Sequence, residues 1–318
     1  MSDNQMRAVR IHGYGEVEVL REERIAVPEP GPGQVLIAVH AAGINPVDWK
    51  TRRGQGVARK QLDEPLIIGW DVSGVVAALG AGAEGFAVGD EVYGMINFPA
   101  DHGGAYAEYA VAPAGHLAPK PPSLSHAEAA ALPLAALTAW QALLETAGLR
   151  AGQRLLIHAA AGGVGHLAVQ IAKARGAHVT GTASGGNEGY LRELGVDAFV
   201  NYRETRFEEA VAPVDIVLDT MSGETRERSF GVVKPGGWLV SILGAPDAAK
   251  AEAAGINARG IMVRPEAGQL RELAALVESG QLRPTIEREF PLSEIRAAHE
   301  LVETGHVRGK VVVLVRES

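Results

Sequence analysis

Apolar positions change period along the chain, and the change is sharpest between Arg154 and Ser184. Leu155-Leu156-Ile157 is a short continuous apolar run; behind Gly162, Gly163 and Gly165, apolar residues then recur at helical spacing through Leu167, Val169, Ile171 and Ala172. His178-Val179-Thr180 reads as a second strand. The segment therefore predicts strand, glycine turn, helix and strand. Leu191 and Leu194 suggest a helix ending at Gly195, and further strands are expected at Ala198–Val200, Asp215–Leu218, Gly237–Ser241 and Gly260–Val263. Six such strands with intervening helices predict a doubly wound parallel sheet of the Rossmann type, so the fold class is α/β.

Elsewhere the pattern is different. Residues 6–120 contain short strand-like runs punctuated by glycine and proline: MRAVRIHG, VEVLREERI, QVLIAVHAAGI, DVSGVVAALG, DEVYGM and AYAEYAVAP. After Pro119-Lys120-Pro121-Pro122, Ser123 or Ser125 can cap a helix, and Pro133 can begin another through Trp140 to Leu144. Leu270 to Ser279 is amphipathic, and strand-like segments near Arg283–Phe290 and Lys310–Val315 flank a helix with Ile295 and Leu301. These last elements are read as a return to the first domain. The division expected is 1–124 plus 265–318 for the β-rich domain and 125–264 for the dinucleotide-binding domain.

Composition narrows the function classes. A chain of 318 residues, 47% of them hydrophobic, can build two sizeable cores. A net charge of −8 with no Lys/Arg-rich run argues against a nucleic-acid partner. The most apolar stretch, Ala127–Leu144, is interrupted by Glu128, Pro133, Thr138 and Gln141, and the N-terminal residues lack an apolar signal core, so no membrane role and a cytoplasmic location are expected. Absence of cysteine excludes thiolate metal sites and thiol nucleophiles, and the ten histidines are scattered, so metal-free chemistry is expected.

Backbone N–H groups at the start of the helix after Gly162, Gly163, Val164 and Gly165 have no intrahelical partners and, with the helix dipole, suit an anionic pyrophosphate. Ala160 stands where the usual G-x-G-x-x-G fingerprint has its first glycine. A bare packing turn is the alternative. An NAD site places a carboxylate after the second strand for the ribose 2′-hydroxyl, whereas this chain has Ser184-Gly185-Gly186-Asn187. Hydroxyl, amide and backbone donors favour a 2′-phosphate, hence NADP(H), although Glu188 lies nearby.

The motifs AAGINPVDWKTRRG, LIIGWDVSGVV, VGDEVYGM, GGAYAEYA, LSHAEAAALPLAALTAWQAL, AAAGGVGHLAVQIAK, NYRE and GHVRGKVVV, in this order, resemble the medium-chain dehydrogenase/reductase superfamily in its zinc-independent NADPH:quinone oxidoreductase branch. The resemblance implies a Rossmann domain inserted in a GroES-like β-rich domain, NADPH in a cleft between them, a quinone or α,β-unsaturated carbonyl as hydride acceptor, and a homodimer. The zinc-dependent relatives carry a metal-binding Cys at Asn45 and a metal-binding His at Trp70. By the same resemblance Asn45 lies by the nicotinamide, and Thr138 meets its carboxamide. Gly163, Val164 and Gly165 fall at the pyrophosphate, and Ser184 and Tyr202 at the adenosine phosphate. A basic residue often follows that serine in the family; here Gly185 and Gly186 follow, so either Arg203 supplies the charge or affinity for NADPH is lower. Leu243 and Gly244 close over the nicotinamide side, and Lys310 is a further contact from the first domain.

For chemistry, hydride transfer to a quinone works largely by positioning, and no Tyr-x-x-x-Lys pair or carboxylate couple stands out as general acid. Asn45 is suited to orient a carbonyl through its amide donors. Catalytic roles are weighed for Asp48, against an ion pair with its neighbourhood including Lys50; for Trp70, against a core tryptophan; and for Tyr14, against an exposed turn aromatic. Met95–Tyr106, with His102, is a candidate specificity loop. Two other classes compete: an NADPH-binding redox sensor or structural protein without important catalysis, and a methyltransferase using S-adenosylmethionine, which would leave the β-domain without a purpose.

Overall fold

The computed structural model describes residues 4–58, 61–62, 64–100 and 104–316. They divide into two compact units, one built from Met1–Leu134, Arg264–Glu278 and Pro284–Ser318, the other from Ala135–Val263 and Ser279–Arg283.

In the first unit β1 (Gln5–Arg10) and β2 (Arg21–Ala26) form an antiparallel pair. Next come β3 (Gln34–Ile44), α1 (Pro46–Arg52), β4 (Asp71–Leu79), β5 (Glu91–Met95), β6 (Tyr109–Pro113), β7 (Leu117–Pro119) and α2 (His126–Ala130). Ser125 rather than Ser123 caps α2: its Oγ accepts from Glu128 N at 3.2 Å while Glu128 Oε2 accepts from Ser125 N at 3.0 Å. Pro133 begins α3 (Pro133–Trp140), which carries the chain into the second unit and passes into a π-helical turn, Gln141–Thr146.

The second unit continues with β8 (Arg154–Ile157), α4 (Gly165–Ala174), β9 (His178–Ala183), α5 (Glu188–Glu193), β10 (Ala198–Asn201), α6 (Phe207–Ala210), β11 (Val214–Asp219), α7 (Gly223–Ser229), β12 (Val233–Ser241), α8 (Ala248–Ala253) and β13 (Asn257–Gly260). Its six strands are all parallel in the order β10-β9-β8-β11-β12-β13. This is the doubly wound order, with the switch point between β8 and β11. Leu156, Val214, Val217 and Leu239 pack with Phe207, Phe230 and Val232 into one of its cores. The last expected strand is displaced: β13 is Asn257–Gly260 and not Gly260–Val263. The apolar run Ile261-Met262-Val263 lies past the strand, and Met262 is 69% exposed.

The chain then re-enters the first unit through α9 (Ala267–Glu278), β14 (Ile286–Pro291), α10 (Ile295–Glu303) and β15 (Lys310–Leu314). β15 pairs antiparallel with β3, giving a seven-stranded sheet ordered β14-β15-β3-β4-β5-β7, with β6 also on β3. Three further details differ from the sequence reading. Val17–Val19 is a 3-10 turn, β6 starts at Tyr109, and residues 125–134 belong to the first unit while 279–283 belong to the second. Alanines explain the second shift of boundary, because Ala127, Ala130 and Ala131 pack α2 against Ala41 and Val312. Gly43 permits that approach: a Cβ there would stand 2.3 Å from Ala130 O.

Candidate functional site

In the second unit the carboxyl ends of the parallel strands align. Ile157 pairs with Gly181 and with Leu218, Ala183 with Asn201, and Asp219 with Ser241. Residues following these ends are therefore neighbours. After β8 the chain turns through Ala159, at φ 46°, into half-buried Gly162, Gly163 and Val164, and then enters α4. A Cβ at Gly165 would stand 2.4 Å from Ala159 O and 2.7 Å from Ala160 Cα, so only glycine allows this helix to start so close to its strand. The Gly162 carbonyl accepts from His166 N (3.0 Å) and meets His166 Nδ1 (2.9 Å), which fixes the first turn.

Beyond β9, Ser184 Oγ accepts from Asn187 Nδ2 at 3.1 Å, so the hydroxyl keeps its own hydrogen as a donor. A Cβ at Gly185 would meet Asn201 Nδ2 at 2.9 Å, and Tyr202 N donates to Ala183 O at 3.2 Å. Ser184 and Tyr202 thus lie side by side. Tyr202 is 54% exposed, and the Arg203 guanidinium lies 5.9 Å from its ring centroid. Glu188 Oε1 accepts from Arg192 Nη2 at 2.7 Å and Nε at 3.0 Å. The carboxylate nearest to Ser184 in the chain is thereby matched with its own cation. Leu243 is partly exposed after β12, Gly244 has φ 92°, and its carbonyl accepts from Arg226 Nη1 at 3.3 Å. Thr138 is buried on α3, one turn before the π-helical segment, a distortion that recurs at functional positions. A glycine cradle, a hydroxyl donor after β9, and an exposed aromatic with a guanidinium beside it fit a nicotinamide dinucleotide.

In the first unit, three strand ends converge on one buried polar cluster. Asn45 follows the end of β3, Asp71 opens β4 opposite Gly43, and Lys310 opens β15 just before the residue that pairs with Ile44. Asn45 Nδ2 donates to Asp71 Oδ2 at 2.8 Å, and Lys310 Nζ donates to Asn45 Oδ1 and lies 3.4 Å from Asp71 Oδ2. Asp71 Oδ1 accepts from Leu134 N at 2.7 Å. Asn45 precedes α1 and caps it through a capping box with Asp48, whose Oδ2 accepts from Asn45 N at 2.8 Å, while the Asn45 amide also serves this cluster. The same oxygen accepts from Tyr106 Oη at 2.6 Å, while Asp48 Oδ1 has no partner among the described residues. Burial pushes the Asp48 carboxyl up to about 7 against the lowering effect of Tyr106, and burial likewise raises Asp71 against the pull of Lys310.

These placements alter several sequence expectations. Asp48 meets Tyr106 and the Asn45 backbone, not Lys50, whose ammonium lies 5.5 Å from the Trp49 ring centroid. Trp70 is fully buried, donates to Ala100 O at 2.9 Å and meets Phe98 edge to face at 5.9 Å, the environment of a core tryptophan. Tyr14 is half-buried, with its ring over Gly54, where a Cβ would lie 3.1 Å from Tyr14 Cδ2. Lys310 is 3% exposed and donates to Asn45, with Asp71 at 3.4 Å. His102 lies outside the described residues, and Met95, Ile96 and Tyr106 from the same stretch are core. Asp71 and Tyr106 were missed as cluster members. The signal for Asp71 was a charged residue opening an otherwise apolar strand, before VSGVVAAL, as Lys310 stands before VVVL; Tyr106 carries none.

Residues 31–122 match a family model described as an alcohol dehydrogenase GroES-like domain, and residues 194–313 one described as a zinc-binding dehydrogenase. The chloroplastic NADPH-dependent alkenal/one oxidoreductase of Arabidopsis thaliana is 37% identical over 326 residues, covering 97% of this chain and 79% of the relative. A chloroplastic quinone-oxidoreductase homolog of Spinacia oleracea is 33% identical over 331 residues, covering 98% of this chain and 99% of the relative. The solved structure of the quinone oxidoreductase from Coxiella burnetii aligns with a TM-score of 0.92 at 42% identity, covering 98% of this chain and 100% of that one. With its parallel sheet, glycine turn and GroES-like unit, the chain belongs to the medium-chain dehydrogenase/reductase superfamily, in its quinone oxidoreductase-like branch.

Proposed function

We propose that this chain is an NADP(H)-dependent, zinc-independent oxidoreductase that passes hydride from NADPH to a quinone or an α,β-unsaturated carbonyl. The observation that carries the cofactor choice is the strand end at Ser184. A hydroxyl donor there, beside Tyr202 and Arg203, faces no unmatched carboxylate from Glu188. Bound NADPH supplies the reactive hydride, and the acceptor class follows the names of the relatives. The protein's own tasks are then to bind, to orient and to offer donors where charge grows on the carbonyl oxygen. The amide of Asn45 is assigned that last task. The zinc-independent reading rests on residue chemistry: Trp70 offers a donor and no lone pair, the Asn45 amide is occupied by Lys310 and Asp71, and the chain has no cysteine.

A homodimer is part of the same proposal, formed along β13, an edge strand that pairs with β12 on one side. Light scattering on the eluting peak measures it.

The activity test is steady-state oxidation of NADPH and NADH against a panel of quinones and enones, before and after chelator treatment. Turnover with NADPH, preferred by about tenfold or more in kcat/KM and resistant to chelation, supports the proposal. Tight NADPH binding without turnover on any acceptor points instead to a redox sensor.

A further inference from the structure

The polar cluster of the first unit holds more charge than a hydride transferase working by positioning needs. Asp71 and Lys310 are both buried, and burying ions is costly unless each is paired and hydrogen-bonded. We propose that Lys310 and Asp71 are positioning residues that lock the Asn45 amide in one orientation, so that its remaining N–H serves as the donor to a carbonyl oxygen.

The chemistry of the partners makes the lock directional. An ammonium can only donate and an ionised carboxylate can only accept. Lys310 Nζ therefore selects Asn45 Oδ1, and Asp71 Oδ2 selects Asn45 Nδ2. Turning the amide over would set N–H against ammonium and oxygen against carboxylate, two repulsive contacts in a buried place. An asparagine with neutral or solvent partners has no such preference. Asp71 is itself held by the Leu134 amide through its other oxygen, and Asn45's backbone is held by Asp48. A second effect adds to the first: an ammonium on Oδ1 draws electron density from the amide, which strengthens the N–H as a donor. With one Nδ2 hydrogen given to Asp71, the other is the donor left for a ligand. Lys310 thus acts through Asn45 and need not touch cofactor or acceptor.

The inference rests on the reductase reading, and its test has two arms that separate the two. The first uses the full chain without cofactor, labelled with ¹⁵N-asparagine, and follows the Asn45 side-chain amide, assigned by its loss in Asn45→Ala. Lys310→Met should shift that NH₂ pair and speed its exchange with water. Because a lone buried Asp71 could unfold the chain, Lys310→Met combined with Asp71→Asn removes the charge pair together and should give the same spectral change in a folded protein. An Asn45 pair with wild-type shifts and exchange in the folded variants overturns the proposal. The second arm is a kinetic cycle. Lys310→Met should lower kcat by about 100-fold, as expected for a misplaced donor, with the KM for NADPH little changed. In the Asn45→Ala background the same change should cost less than about twofold. A full loss in that background overturns the proposal. Lack of wild-type turnover counts against the reductase reading alone, and the amide spectra still decide the lock.

Discussion

Asp48 sits fully buried with one oxygen unpartnered among the described residues, and its carboxyl is raised to about 7 by burial. A carboxyl whose folded pKa lies above its unfolded value near 3.9 binds protons preferentially in the folded state. Its stabilising contribution is therefore full in acid and is lost as pH rises toward 7. Asp48→Asn, which stays neutral throughout, should gain stability relative to wild type as pH is raised from 5 to 8. Thermal melts of both proteins across that range check the sign, and a constant gap would mean that Asp48 does not titrate there. Ser184 makes a second prediction at this scale. Replacing its hydroxyl with a carboxylate in Ser184→Asp puts like charge against a 2′-phosphate, so kcat/KM for NADPH should fall about tenfold or more relative to NADH. Equal loss for both cofactors would remove Ser184 from the phosphate contact.

The start of α4 is where backbone geometry matters most. In Gly165→Ala the new Cβ meets Ala159 O and Ala160 Cα, both backbone atoms of the turn, so strand and helix must part. The expected cost is about 1–3 kcal/mol with loss of NADPH affinity, measured by denaturant melts and nucleotide titration. Ala159, in contrast, carries a left-handed φ that glycine adopts without strain. Ala159→Gly should raise stability by about 0.5–1 kcal/mol, the relief of strain exceeding the extra freedom of the unfolded chain. This turn was legible in the sequence because glycine spacing and two changes of apolar period coincide there. The end of the sheet was not. Asn257-Ala258-Arg259-Gly260 is an edge strand with one neighbour and no continuous apolar face, whereas the apolar Ile261-Met262-Val263 beside it is the better strand by composition. The polar cluster was half legible. Asn45 was visible through its place in a family motif, but its partners Asp71 and Lys310 lie 26 and 265 residues away, and only the pairing of β4 and β15 with β3 unites them.

Across the whole molecule, buried titratable groups oppose one another. Burial lowers the histidine pKa at His40, His116, His126, His158 and His299, to about 4 at His126 and His158 and about 3 at His299, where Arg52 adds to the effect. An unfolded chain takes up protons at these rings near pH 6.5 while the folded chain refuses them, so stability is full above that pH and falls as the solution is acidified. Asp48, raised to about 7, works in the opposite sense over part of this range, and burial raises Asp71 as well, yet they are two groups against five. Below about pH 4.5 a further set joins the histidines: Glu23, Glu108, Asp197, Glu208 and Asp215 are held below the usual carboxylate range by hydrogen bonds and nearby cations, and that stabilisation goes as they protonate. The melting temperature should therefore be highest near pH 7, decline gently toward pH 5 and drop steeply below about 4.5. His158 tests the origin of the gentle part, since its ring is packed against Phe207 and bonded to Ser229 Oγ at 2.9 Å. Replacing it with Gln, which keeps a polar group for Ser229 and does not titrate, should flatten the slope between pH 7 and 5. An unchanged slope would show that this ring carries a proton in the folded protein and that the acid loss arises elsewhere.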